Sequence, residues 1–159
     1  MKSLQLTIRY DAIPEQELTG DDLRLVERAK AATQTSFSPY SHFRVGAAIL
    51  LENGEIVSGS NQENASFTTG TCAERCAMFY ANARYPDVAP VAIAIACYYG
   101  GSFTPEPGAP CGACRQVLSE VEHRYGRDLR VLLYGANHTY AFESMAELVP
   151  FQFNASNLE

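Results

Sequence analysis

Apolar and polar positions change period several times along the chain of 159 residues. Leu4, Leu6 and Ile8 alternate with polar neighbours, which predicts an extended arm or an added edge strand within residues 1–18. From Thr19 the spacing lengthens. Leu23, Val26, Ala29 and Lys30 follow helical spacing, Thr19 offers a capping oxygen, and Asp21 and Asp22 suit the positive end of a helix. This first helix ends before Ser38-Pro39. The β-rich runs FRVGAAILL and EIVSGSN flank Asn53-Gly54, so a hairpin with a two-residue turn is predicted from Phe43 to Asn61. CAERCAMFYANARYP is helical again and is closed by Pro86, whereas VAIAIAC is an unbroken apolar run suited to a strand buried on both faces.

The Pro/Gly-rich stretch GGSFTPEPGAPCG reads as a loop. It leads into the helix CRQVLSEVEHRYG, with Val117, Leu118 and Val121 on one face and Gly126 as C-terminal cap. RVLLYG is the next strand, SMAELVPF a short helix stopped by Pro150, and FQFNASNLE a tail. Strands alternating with helices after an opening hairpin predict a layered α/β domain with a mixed sheet. Residues 19–159 form one domain on this reading, and 1–18 an arm.

Composition narrows the class. With 47% hydrophobic and 19% charged residues, the chain can bury a sizeable core. Its opening MKSLQLTIRYDAIPEQEL lacks the apolar block of a secretory signal, and no apolar run is long enough to span a bilayer. A cytoplasmic protein with no membrane partner is expected. A net charge of −6, from 12 basic and 18 acidic residues, speaks against a nucleic acid polymer as partner and for a small substrate. Five cysteines, two of them in a C-x-x-C, point to metal or redox chemistry in a reducing compartment.

Two segments carry the chemistry, Cys72-Ala73-Glu74-Arg75 and Pro110-Cys111-Gly112-Ala113-Cys114-Arg115. Each opens a predicted helix. Residues two apart on a helix point about 200° from one another, so Cys72 and Glu74 converge on an ion only from the first turn, where a helix end is reached axially. Cys111 and Cys114, three apart, share a face. Three thiolates then surround one tetrahedral zinc with a fourth position open, the form of a catalytic site, and Glu74 stands beside that position. Cys76, one turn beyond Cys72, offers an alternative: a fourth thiolate would close the site and make it structural. Cys97 reads as packing, as do Met78, Tyr80 and Tyr85, and His42, His123 and His138 lack ligand spacing.

Cys, x-Glu, then Pro-Cys-x-x-Cys is the arrangement of zinc deaminases. With SPYSHFRVGAAIL, NQENASF, TCAER, PCGACRQVLSE and LVPFQF in this order, the chain resembles the small homotetrameric zinc-dependent cytidine deaminases over roughly residues 23–153. The resemblance implies a three-layer α/β/α fold whose mixed central sheet is opened by a β-hairpin. It implies one Zn2+ per subunit on Cys72, Cys111 and Cys114, with Glu74 as the catalytic proton shuttle. The reaction implied is hydrolytic deamination of cytidine or deoxycytidine at C4, releasing ammonia, in pyrimidine salvage. Arg75 would donate to the ligand sulfurs, Asn61 and Glu63 would hydrogen-bond the ribose, and backbone at Ala73 would read the pyrimidine carbonyl. The ring would stack on Phe43 and on Phe153 of a neighbouring subunit.

Some positions depart from the family pattern. Phe67 stands where a substrate-site Tyr is usual, Arg44 replaces a Pro and Cys76 a Thr, and the loop from Tyr98 to Pro110 is long. Two other readings stay open: a zinc deaminase for another cytosine-bearing compound, such as blasticidin S or a polynucleotide, and a non-catalytic zinc-stabilised oligomer.

Overall fold

The computed structural model describes residues 1–158. In chain order its elements are β1 (Asp11–Ile13), α1 (Gly20–Ala32), β2 (Arg44–Leu51), β3 (Ile56–Ser60), α2 (Ala73–Arg84), β4 (Pro90–Tyr99), β5 (Ser102–Phe103), α3 (Gly112–Tyr125), β6 (Arg130–Tyr134) and β7 (Thr139–Phe142). The strands form one sheet in the order β1-β7-β6-β4-β2-β3, with β5 paired to the end of β4. β4 and β6 run parallel and the other pairs antiparallel, giving the mixed sheet expected.

Alternation of alanine and isoleucine in β4 shows why the layers differ. Ala92, Ala94 and Ala96 face Leu25, Val26 and Ala29 of α1, while Ile93 and Ile95 pack with Met78 of α2 and Leu118 of α3. One helix covers the first face and two cover the second, so the architecture is α/β/α. Small residues bring α1 close. A Cβ on Gly46 of β2 would lie 2.1 Å from the Ala29 carbonyl oxygen, and one on Gly59 of β3 would lie 2.6 Å from the Ala77 nitrogen of α2. These two glycines let helices approach strand backbone at a distance no side chain permits.

α3 ends as expected. Gly126 adopts the left-handed conformation (φ 61°), and the Arg127 N–H donates to the Glu122 carbonyl at 3.1 Å.

Other local features differ from the sequence reading. The Asn53-Gly54 hairpin closes around three residues: the Gly54 N–H donates to Leu51 O and the Leu51 N–H to Glu55 O, both at 2.9 Å. A two-residue primed turn needs positive φ at its first central position, and here only the second, Gly54 (87°), has it. Asn53 instead accepts the Glu55 N–H on its side chain at 3.1 Å. The two-residue turn lies elsewhere, at Gly100 (φ 64°) and Gly101 (φ 92°), joining β4 to a strand the loop reading missed. An added edge strand exists, yet it is Asp11–Ile13 paired with β7, and Leu4, Leu6 and Ile8 stay exposed. Thr19 occupies the N-cap of α1 without a side-chain capping bond. The segment read as a terminal helix makes one 3-10 turn, Met145–Glu147, and Tyr80, read as helix packing, faces outward with Phe79.

Candidate active site

Cys72 is the N-cap of α2 and Cys111 the N-cap of α3, so the first turns of both helices meet at one point. Cys114 enters from the first turn of α3 and is buried. The Cys72 and Cys111 sulfurs are 3.9 Å apart, and all three Sγ atoms lie within 4.8 Å of one another. Tetrahedral zinc with Zn–S bonds of about 2.3 Å sets its sulfurs about 3.8 Å apart, so the cluster fits that ion with small adjustment. Among the described residues this is the only such group, and Cys76 is not in it. Cys76 lines a different cavity, between α1 and β3, which removes the four-thiolate alternative.

Charge at the cluster is balanced from several sides. A hydrogen bond from the Cys114 thiol, and lesser ones from Arg75 and Cys111, hold the Cys72 thiol well below its ordinary range against the opposing effect of burial. Arg75 Nη2 stands 3.7 Å from the Cys72 sulfur. The N-termini of α2 and α3 add partial positive charge from their unpaired first-turn N–H groups. Ala73, fully buried at the first position of α2, carries one of these free donors.

Glu74 follows in the same turn and is only 5% exposed. Burial is the main reason its carboxyl is pushed above the usual range, and the charge of Cys72 adds to it. That direction favours the protonated form, as a group that takes up and hands on protons requires.

A cleft of about 570 Å3 opens from Cys72 and Arg75 and is lined further by Asn61, Glu63, Phe67 and Thr71. The segment 61–63 is clamped between two bridges, Phe37 with Gln62 and Gln62 with Thr71. Asn61 is already engaged. Its Oδ1 accepts from Ser36 Oγ (2.5 Å) and the Val45 N–H (2.8 Å), and its Nδ2 donates to the Phe43 carbonyl (2.9 Å). The Glu63 carboxylate accepts from the Tyr40 N–H (3.0 Å), the Ser41 N–H (3.2 Å) and the Ser41 hydroxyl. The Ser41 hydroxyl is the chief reason Glu63 stays below the usual carboxylate range.

Phe43 and Phe153 do not line this cleft. Phe43 adjoins it through its backbone bonds to Asn61 and Ser41 (3.0 Å), and the ring of Phe67 meets Tyr40 edge-on at 5.7 Å. Phe153 is 59% exposed, tethered by Gln116 Nε2 to its carbonyl at 2.8 Å. Sequence reasoning assigned nothing to Ser41 or to Arg115. Arg115 bridges the Pro110 carbonyl (2.8 Å) and the Leu148 carbonyl (2.9 Å), tying the tail to the loop that presents Cys111. Serine in a Ser-Pro-Tyr-Ser turn and arginine beside a C-x-x-C were visible, but their partners are remote in sequence.

A model of the cytidine and deoxycytidylate deaminase zinc-binding region matches residues 19–125, which hold all three cysteines and Glu74. The chain belongs to this deaminase family. A cytidine deaminase of Halalkalibacterium halodurans is 38% identical over 140 residues, 87% of this chain and 98% of the relative. One from Mycobacterium tuberculosis is 36% identical over 131 residues, 82% of this chain and 87% of the relative. A crystal structure of cytidine deaminase from Burkholderia pseudomallei superposes with a TM-score of 0.69 at 39% identity, covering 82% of this chain and 97% of that one. The deaminase family thus accounts for the helix pair that carries the thiolates, and its zinc-binding region contains the cluster described above.

Proposed function

We propose that this chain hydrolyses cytidine or deoxycytidine to the uracil nucleoside and ammonia, as the names of its relatives indicate for those proteins. The observation that carries the reading is Glu74, buried in the same first helix turn where the three-thiolate cluster meets the cleft through Cys72. Cys72, Cys111 and Cys114 would hold the zinc, which would supply a water acidic enough to react at neutral pH. Glu74 takes the proton of that water, delivers it to ring nitrogen N3, and carries the second proton to the departing amine. The C4–N bond breaks as the C4–O bond is completed, and no oxidant or reductant is needed.

Hydrogen-bond capacity supports a nucleoside. Asn61 has one unused N–H, and the Glu63 carboxylate, with about four acceptor sites, has three taken. One donor beside one acceptor suits a single sugar hydroxyl, which accepts from Asn61 and donates to Glu63. In this reading the Ala73 N–H reads the pyrimidine carbonyl, Phe43 contacts the ring, and Arg75 keeps the sulfurs from being over-charged. Phe67, a ring without a hydroxyl, contributes area and no polar bond.

The working form is a homotetramer with shared sites, formed by the catalytic domain of residues 19–159 with an added strand from residues 1–18. Phe67, Phe79, Tyr80, Phe151 and Phe153 are all exposed in the single chain, an apolar surface that subunit contact would cover. Free thiols suit the reducing cytoplasm, and none of the described helices is long and apolar enough to cross a membrane. The deciding assay follows the loss of cytidine absorbance on a sample whose zinc is quantified. Turnover with about one zinc per chain is expected, and full zinc without turnover overturns the reading.

A further inference from the structure

The two-residue turn at Gly100-Gly101 places an aromatic ring beside Phe43. Arg44 and Tyr98 are the last pair of the β2–β4 ladder, so Phe43 and Tyr99 stand opposite one another just beyond it. Their ring centroids are 5.8 Å apart with planes inclined at 36°. Such neighbours across an antiparallel pair interact directly. The backbone of Phe43 is pinned on both sides, its N–H to Ser41 Oγ at 3.0 Å and its carbonyl to Asn61 Nδ2 at 2.9 Å. The freedom left to Phe43 is rotation of its ring, and Tyr99 flanks that ring.

Tyr99 rides on a rigid mount. Positive φ at both glycines sets the tight turn, and Phe103 after it packs edge-on against Tyr98 (5.3 Å) and Tyr134 (5.5 Å). The Thr104 N–H adds a bond to the Cys97 carbonyl at 3.0 Å. Yet Tyr99 is itself 55% exposed, and its hydroxyl has no hydrogen bond among the described residues. A ring held that firmly with so little burial contributes little to the core. Its contact with Phe43 is what the hairpin delivers.

We propose that Tyr99 is a positioning residue for substrate binding, holding the Phe43 ring in the orientation that receives the pyrimidine. This rests on the reading of Phe43 as a substrate contact. The test is a double-mutant cycle in KM for cytidine, with Phe43→Ala, Tyr99→Ala and the double variant, and with kcat and melting temperature measured alongside. Tyr99→Ala is expected to raise KM about 3- to 10-fold, the worth of one aromatic pair, with kcat within about twofold of the parent. The double variant should be no worse than Phe43→Ala alone. Tyr99→Phe should restore KM, because the contact needs a flat ring and no hydroxyl.

If Phe43→Ala leaves KM unchanged, the substrate role of Phe43 fails and this proposal with it. If Phe43→Ala raises KM while Tyr99→Ala does not, or if the two effects simply add, Tyr99 alone loses its role. Should Tyr99→Ala not fold, Tyr99→Leu keeps apolar bulk without a flat face, and a parental KM in that variant overturns the proposal.

Discussion

Arg75 Nη2 lies 3.7 Å from the Cys72 sulfur, and the two residues are three apart across the opening turn of α2. No carboxylate pairs with Arg75 among the described ion pairs, so its partner is the thiolate cluster. The contact works both ways: the guanidinium helps hold Cys72 below the thiol range, second to Cys114 among the groups that lower it, and Cys72 in turn raises Arg75.

Replacing that donor gives a first prediction. In metal-free protein, Arg75→Gln should move the pH of half-maximal Cys72 alkylation upward, read by iodoacetamide labelling and peptide mass spectrometry. The sign follows from losing a donor and a positive charge, both of which favour thiolate. An unmoved profile means that Cys114 and Cys111 hold the thiolate without Arg75.

How much of this was legible beforehand depends on how local each cause is. The thiolates and Glu74 could be read because first-turn positions and i, i+3 spacing are properties of a few consecutive residues. Gly126 could be read for the same reason. β7 was missed because Thr139–Phe142 is short and lies between the neighbouring β6 and β1 from the far end of the chain. The Asn53-Gly54 and Gly100-Gly101 turns show the other limit. Both dipeptides permit a primed turn, and the register of the flanking strands decides which one forms it. Ser41, and the bonds that fix Asn61, appear only in the fold, since each binds groups on other segments.

The Glu15–Lys30 pair predicts how the N-terminal segment responds to pH. Lys30 Nζ is 2.8 Å from Glu15 Oε1, linking the turn after β1 to α1. The Lys30 hydrogen bond pulls Glu15 below 4.5; for Lys30, burial opposes but the bonds to Glu15 and Glu27 prevail and raise it above 10.5. A depressed carboxylate contributes stability that is present above pH 4.5 and is lost as pH falls through its folded value. A raised lysine contributes stability that is full below pH 10.5 and is lost as pH rises through its folded value. Glu15 is 45% exposed, so screening keeps the pair to about 1 kcal/mol or less. Glu15→Gln should lower the melting temperature at pH 7 by at most about 2–4 °C and flatten the fall below pH 4.5, by calorimetry. An equally steep acid limb in the variant would remove the pair from the account.

Phe153 tests the shared pocket. Its carbonyl is tethered to Gln116 while its ring stays in solvent in the single chain. Phe153→Ala should therefore leave the chain folded yet raise KM by about tenfold, the cost of a lost aromatic contact and its buried area. A sedimentation run on the parent should give a tetramer. An active monomer, or unchanged kinetics in the variant, removes the intersubunit site while leaving the metal centre untouched.

Glu74→Gln isolates proton transfer from metal binding. The two side chains match in size, and the buried carboxyl is pushed toward its neutral form, so packing around α2 should persist. The sulfurs of Cys72, Cys111 and Cys114 remain, so zinc should stay near one per chain by atomic absorption. An amide cannot take up and hand on protons, and loss of one general acid–base group costs about 10²–10⁴ in rate. Because Glu74 serves the water, N3 and the amine in turn, kcat should fall at or beyond the upper end of that range. Substrate affinity by calorimetry should change far less, since Gln still donates and accepts one hydrogen bond each. Near-parental turnover with full zinc would show that the protons travel by another group. Loss of zinc together with turnover would make Glu74 a ligand or a prop, and the three-thiolate site would then have to be redrawn around it.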